Sequence, residues 1–278
     1  MTNGGFLEKN FDLFCLSHDD NHFQTIKDLN YIPVVTGLGN YGKEWIRDNT
    51  GENISKKNTY YGELSFHYWY WKNKLNLDSN KWFGFCHYRR FWRQINELHM
   101  EEATEFKKQI IKSIPQEWEK HQIILIKPFY INDLKLSKVL KRGLNLILKK
   151  PQLIINKNLR TINFHFDMWH GKGNLKKAID LLEKEDRDDF NHFVNTELSF
   201  NPFHMFFSNS PKLVNNYYNS LFSWLSKCEK LFGFDNLKGY ETRIYAFIAE
   251  RYMSYWFKKN SNYLEWSMIH YDISKGIS

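Results

Sequence analysis

Residues 82–90 read Trp-Phe-Gly-Phe-Cys-His-Tyr-Arg-Arg. The apolar run Trp82–Cys86 has the length and the aromatic content of a buried strand rather than a helix. It discharges at its carboxyl end into His87, Tyr88, Arg89 and Arg90. In open α/β sheets, ligands bind outside the carboxyl ends of the strands. Two adjacent guanidinium groups there form a site for an anion, phosphate first among the candidates. The competing reading makes both arginines solvated charges after an ordinary strand. A second polar cluster, residues 47–58, tips the balance toward a site. It runs Arg-Asp-Asn-Thr-Gly-Glu-Asn-Ile-Ser-Lys-Lys-Asn and has the turn chemistry of a structured loop.

Working outward, residues 11–16 and 31–35 read as two further extended segments, the second closed by the loop 37–42. A helix is expected from about Thr59 to Leu75, with Leu64, Tyr68, Trp71 and Leu75 as its core stripe. The order loop, helix, strand lets the polar loop and the arginine-bearing strand tip converge on one side of a sheet. Downstream, a mostly polar helix is expected over Glu101–Trp118 and a buried strand over Ile123–Ile126. Residues 135–150 should form a basic, leucine-rich amphipathic helix. Further helices are expected at 175–185, at 211–232 (opened by Pro211) and at 241–259, and a strand at 203–207. No internal repeat or long linker divides the chain, so its 278 residues are read as one α/β domain.

The chain carries 10 Trp, 16 Tyr and 23 Phe, more rings than a core of this size needs. Some are expected to line a cleft, and sugars suit such rings because their C–H faces are apolar while their hydroxyls need polar neighbours. The net charge of +8 favours anionic partners. The cysteines, Cys15, Cys86 and Cys228, show neither a disulfide framework nor a zinc spacing and suit a reducing compartment. No signal peptide and no segment of bilayer-spanning length is read, which points to the cytoplasm. RNA binding lacks an aromatic recognition signature, so no nucleic-acid partner is expected.

The motifs also carry a resemblance. Asp48-x-Thr50-Gly51-x-Asn53-Ile54-Ser55, Asn58, Glu63-Leu64, Tyr68-Trp69-x-Trp71-Lys72-Asn73 and Gly84-x-x-His87-Tyr88-Arg89-Arg90 follow one another at close spacing. With Asn201-Pro202-Phe203-His204-Met205-Phe206, Tyr240-Glu241-x-Arg243 and Glu250-Arg251, the pattern covers about residues 10–260. It resembles the bacterial capsular and exopolysaccharide biosynthesis family, formerly a domain of unknown function. The segment Leu134–Asn163 matches no pattern in it. The resemblance implies a GT-A-like, Rossmann-related mixed sheet flanked by helices, with a helical C-terminal part. On that view residues 10–130 form the nucleotide-sugar-binding half and residues 131–260 the more helical, acceptor-side half.

The implied activity is glycosyl transfer. A sugar, galactofuranose or another hexose, would move from a nucleotide-diphosphate donor, UDP-linked on this resemblance, to a lipid-linked surface-polysaccharide intermediate. The protein would then work on the inner face of the cell membrane, with the basic helix against anionic lipid. Two alternatives stay open: a non-catalytic nucleotide- or polysaccharide-binding module, and a phospho-group transferase.

On this reading Arg89 and Arg90, with Lys72, neutralise the pyrophosphate where many GT-A enzymes use a metal held by Asp-x-Asp. Asp186-Arg187-Asp188 follows no strand and reads as solvated surface. His87 could bond phosphate or sugar, could ligate a metal, or could be a buried histidine bonded to backbone. Tyr88, Asp48, Asn53, Ser55, Asn58, Asn73, His170 and His204 complete the binding set, although Asx and Ser side chains in such loops commonly satisfy their own backbone. Asp167, Glu241 and Glu250 are candidate bases. Glu250 is carried as catalytic, although an ion pair with Arg251 supporting the arginine tip is the stronger reading of its position. No metal ligands are assigned, and a divalent cation, manganese or magnesium, stays open as cofactor.

Overall fold

A computed structural model describes residues 11–96, 106–235 and 237–275. The elements of the first half are β1 (Phe11–Ser17), α1 (His22–Asp28), β2 (Ile32–Val35), β3 (Ile46–Arg47), α2 (Asn58–Tyr61), α3 (Leu64–Asn73), β4 (Trp82–His87) and β5 (Arg90–Trp92). Then follow α4 (Phe106–Gln109), β6 (Ile123–Ile126), β7 (Phe129–Tyr130), α5 (Leu136–Lys149), α6 (Gln152–Ile155), α7 (Ile162–His170), α8 (Asn174–Ile179) and α9 (Lys184–Thr196). The chain closes with β8 (Ser199–Phe200), β9 (Phe206–Ser208), α10 (Pro211–Phe232), α11 (Ile244–Asn260), β10 (Tyr263–Trp266) and β11 (Met268–His270).

Nine strands among the described residues form one mixed sheet, with the order β10-β6-β9-β4-β1-β2-β3 and the hairpin β4–β5 leading to β11. β1 pairs in parallel with β2 on one side and β4 on the other. The chain therefore moves outward from β1 to β2 and β3, then returns to the opposite side of β1 as β4. That reversal is a topological switch point, and it opens a crevice at the carboxyl ends of β1 and β4. β9 runs antiparallel between β4 and β6 and makes the sheet mixed.

Period-two alternation sends the strand side chains into two cores. Phe14, Leu16, Phe83 and Phe85 face α3, α10 and α11, while Phe11, Leu13, Cys15 and Cys86 face the layer of Trp92, Trp118 and Trp266. Gly84 is needed between them: a Cβ there would stand 2.5 Å from the Phe207 ring on β9. The mixed α/β sheet flanked by helices, with a helical C-terminal part, is the expected architecture.

Several local expectations change. The helix expected over 59–75 is split at Gly62, whose φ of +55° breaks α2 from α3. Its deepest residues are Leu64, Phe66, His67, Trp69 and Tyr70, while Tyr68, Trp71 and Leu75 are half-buried, because the sheet covers the Phe66–Tyr70 side. In place of a polar helix over 101–118, residues 106–109 form one turn and Ile110 bridges to Arg93; residues 101–105 lie outside those described. The helix expected at 175–185 is two, α8 and α9, separated at 180–183. The strand expected at 203–207 begins at Phe206, because Phe203 and His204 take positive φ values of 73° and 48°. The helix from 241 begins at Ile244, preceded by a 3-10 turn over Gly239–Arg243.

Candidate functional site

A cleft of about 770 Å³ opens at the switch point, within the range of small-molecule sites. Its floor is the strand ends: Leu16 and Ser17 at the end of β1 with His18 just after it, Thr36 after β2, and His87, Tyr88, Arg89 and Arg90 at the β4–β5 turn. One wall comes from the α2–α3 break, with Asn58, Gly62 and Glu63. The opposite wall is built by α7 and α11 with the short β7–β8 pair, and it is rich in rings.

The two arginines differ. Arg89 is about half exposed, stacks over Tyr88 at 4.7 Å and pairs through Nε with Asp272 at 2.9 Å. Arg90 lies 3.8 Å over the face of Phe203, and its Nε is buried with no hydrogen-bond partner. Burial lowers the Arg90 pKa, while the charges of Glu63 and Glu250 oppose that shift. A buried cationic donor without an acceptor is costly, and the Arg90 side chain also borders the cleft.

Phe203 is held in place by three contacts. Its backbone N–H donates to Glu250 Oε1 at 2.6 Å, its carbonyl accepts from His87 Nε2 at 3.0 Å, and its ring carries Arg90. The carbonyl can only accept, so His87 carries its proton on Nε2. Burial and the neighbouring Arg90 push the His87 pKa down to about 4, against the opposing pull of Glu63. His87 is therefore neutral at pH 7. Two consecutive non-glycine residues at positive φ, Phe203 and His204, store strain at this point. Glu250 also accepts from Arg251 Nη1, and the Arg251 guanidinium stacks over Phe200 at 4.2 Å and reaches His165 Nδ1 at 3.1 Å. The expected Glu250–Arg251 pair thus braces the arginine tip through Phe203.

Glu63 was not among the predicted site residues. It lines the cleft, accepts from Arg243 Nη2 at 2.9 Å and lies 3.5 Å from His204 Nδ1. Burial alone would raise its pKa, but His204, His87 and Arg243 together hold it far below the ordinary glutamate value. Gly62 makes this arrangement fit, because a Cβ there would stand 2.3 Å from Arg243 Nη2. The positive-φ break that ends α2 therefore also admits the third arginine. The sequence signal for Glu63 is the Gly62-Glu63 step inside an otherwise helical stretch.

The far wall gathers Phe129 and Phe200 beside His165, and Tyr240 and Phe247 beside His170, with Trp169 between the two histidines in the chain. The imidazole of His170 stacks on Phe247 at 3.9 Å between centroids and lies 5.5 Å from Tyr240, which itself stacks on Phe247 at 4.9 Å. Burial and the charge of Arg251 push the His170 pKa down, so the imidazole is neutral. The cleft rings are thus not Trp69 and Trp71 of α3 or Trp92 of β5: Trp69 and Trp92 are core, and Trp71 stacks on Phe222.

The structure brings His87, Tyr88, Arg89, Arg90, Glu250, Asn58 and His170 together in the cleft. His204 is buried just behind Glu63. His204 therefore does not line the cleft, and neither do five further predicted binding residues. Asp48 is wholly buried and accepts the Gly37 N–H at 2.9 Å; burial raises its pKa, and the Ser65 and Gly37 hydrogen bonds oppose that. Asn53 closes a local turn, accepting from the Ser55 N–H and hydroxyl while donating to Gly51. Ser55 is buried there. Lys72 stacks over Trp71 at 3.8 Å, and Asn73 ties the end of α3 to the backbone of Glu52. These side chains spend their polar groups on their own loops and helix end, the structural alternative their residue types allow. Asp186 accepts from Lys259 at 3.1 Å and Asp188 pairs with Arg187, both on α9.

The donor set does not suit a divalent cation. The two carboxylates lining the cleft, Glu63 and Glu250, are each bonded to an arginine, so a metal would have to displace one. Among the described residues no group of three or more His, Cys, Asp and Glu is arranged to hold a metal.

Comparison with known proteins gives a family and a fold. The family model described as Domain of unknown function (DUF4422) matches residues 13–261. Among solved structures, a chain described as the WbbM bifunctional glycosyltransferase in its apo form is similar, with a TM-score of 0.63 at 20% sequence identity. The likeness covers 94% of this chain and 45% of that one, so this chain spans less than half of that protein. At this identity the likeness is one of fold. No curated protein matches.

Proposed function

The chain belongs to the DUF4422 family, and on that premise we propose that it is a glycosyltransferase using a nucleotide-diphosphate sugar. The observation that carries the reading is Arg90: a guanidinium at the switch-point crevice, fixed on the Phe203 ring, with a buried donor lacking an acceptor. As a glycosidic bond to a diphosphate breaks, negative charge develops on the leaving phosphate. Preorganised cations stabilise that charge more than they stabilise the ground state. Arg90 supplies the fixed contact, Arg89 the exposed one beside it, and Arg243 a third at the opposite wall.

The ring wall around Phe247, Tyr240 and Trp169 presents apolar faces for a sugar, and neutral His170 adds no charge to them. The acceptor hydroxyl passes its proton to a carboxylate of the cleft, Glu63 or Glu250. The first of these is held ionised by its neighbours. Glu250→Gln and Glu63→Gln, compared by kcat rather than KM, separate the proton acceptor from the positioning group. The family resemblance carries the finer assignment: a UDP-linked hexose, galactofuranose among the candidates, and a lipid-linked surface-polysaccharide intermediate as acceptor.

A phospho-group transferase would use the same arginines, and the products distinguish the two. With a nucleoside-diphosphate donor (UDP-, GDP- or dTDP-sugar), glycosyl transfer or donor hydrolysis releases a nucleoside diphosphate, whereas sugar-phosphate transfer releases a monophosphate. The test is a thermal-shift screen of UDP-, GDP-, CMP- and dTDP-sugars, followed by product analysis with the stabilising donor. Stabilisation by a sugar nucleotide, lost in Arg90→Ala, with diphosphate released, is the expected result. No donor binding at any concentration overturns the proposal. Loss of turnover on chelation with recovery on manganese overturns the role given to the arginines.

A further inference from the structure

The unassigned face of the molecule is the helix α5 with the turn α6. Val139, Gly143 and Ile147 of α5 are covered, packing with Leu153 of α6 and with Phe164 and Met168 of α7. Leu136, Leu140, Leu144 and Leu148 recur every four residues beside that seam and are 43%, 39%, 52% and 70% exposed. Ile155, at the end of α6, is 90% exposed. At about 100° per residue, the leucines extend the covered stripe into an apolar arc roughly twice as wide as the fold requires. The rest of the helix is cationic. Residues 135–157 carry seven Lys and Arg and no Asp or Glu. The Lys149 ammonium lies close enough to Lys172 that the second lysine lowers its pKa.

An apolar ridge bordered by lysines, with no carboxylate among them, is complementary to a surface that is apolar inside and anionic outside. We infer that α5 lies in the headgroup layer of an anionic lipid bilayer, with Leu140, Leu144 and Leu148 inserted and the flanking lysines on lipid phosphates. A protein partner of matching shape would have to supply both an apolar groove and an acidic rim; a bilayer supplies both without design. The surface also adjoins the cleft. Met168 and Phe164 of α7 touch Gly143 of α5, the Arg142 guanidinium stacks 4.7 Å over Trp169, and Trp169 and His170 of α7 line the ring wall. Docking by α5 therefore presents that wall toward the membrane surface, where an amphiphilic acceptor would sit. Among the described residues no helix is long and apolar enough to cross a membrane, so this contact lies on the bilayer and does not span it.

The full chain is sedimented with phosphatidylcholine vesicles, with and without phosphatidylglycerol, at low and high salt. Leu144→Gln/Leu148→Gln and Lys138→Glu/Lys141→Glu are run alongside the parent, with thermal unfolding as the folding control. Binding that requires phosphatidylglycerol, weakens with salt and falls about tenfold or more in each double variant is the expected result. Equal binding to pure phosphatidylcholine, or variants that bind like the parent, overturns it. So does a leucine variant that turns a dimer into a monomer in gel filtration while vesicle binding stays intact, which assigns the ridge to a second copy of this chain. Vesicle binding needs no sugar nucleotide, so its failure is distinct from failure of the transferase reading.

Discussion

Arg90 and Lys141 carry the same formal charge in opposite settings. Arg90 is clamped on an aromatic face at the end of β4, its Nε sealed from water and two carboxylates within electrostatic reach. Lys141 stands exposed on α5, in a stretch without carboxylates. A fixed cation in a low-dielectric crevice recognises one anion in one geometry, whereas mobile lysines on an open face attract any anionic surface and are screened by salt. The net charge of +8 describes both regions and distinguishes neither.

The comparison breaks most visibly at Arg90. Arg90→Ala should lower kcat with a sugar-nucleotide donor by about a hundred- to a thousandfold, the usual effect of removing one preorganised transition-state donor. Steady-state kinetics checks this, and a loss confined to KM would mean that the residue binds donor and transition state alike.

Acidification comes next. His67, His87, His165 and His170 are held below the ordinary histidine value chiefly by burial. Below about pH 6.5 the unfolded chain takes up protons that these folded rings refuse, so stability falls as pH drops. The loss is roughly 1 kcal/mol per histidine for each pH unit, continuing for His87 until about pH 4. Glu63 works in a lower window: its depressed pKa contributes stability that is present above about pH 4.3 and fades below it. Urea unfolding at pH 7.5 and 5.5 measures the histidine contribution, and equal midpoints would contradict it.

Arg89→Ala should cost less than Arg90→Ala, about tenfold in kcat/KM, because Arg89 is half exposed and already shared with Asp272. An equal loss at both arginines would erase the distinction between them. The smallest effect belongs to the lysine face. Lys138→Gln/Lys141→Gln should leave thermal stability within about 0.5 kcal/mol, since exposed charges without partners contribute little to folding. A clear destabilisation would show that these lysines serve the fold.

Much of this was legible in the sequence where the signal is local. The strands at 11–17, 82–87 and 123–126 announce themselves as short apolar runs, and α10 begins at the proline that marked it. The arginine tip was readable because a strand end and a charge pair are adjacent in the chain. Glu63 and Arg243 were not readable as a pair, since 180 residues separate them and their meeting depends on Gly62 leaving room. Asp48, Asn53, Ser55, Lys72 and Asn73 were over-read for the same reason. Residue type tells that a side chain wants a hydrogen bond, not whether its own loop already supplies one.

The strand–helix alternation, the histidine–arginine tip and the amphipathic character of residues 135–150 follow from the residue order alone, because all three are written in neighbouring positions and in the periods of 2 and 3.6. Long-range packing sets which polar groups are spent on the scaffold and which are left facing the cleft. It also seals Arg90 against Phe203 while Arg89 reaches solvent, and it leaves the leucines of α5 uncovered. Burial depends on which distant segment arrives to cover a side chain, and that follows from topology rather than from the residue and its neighbours.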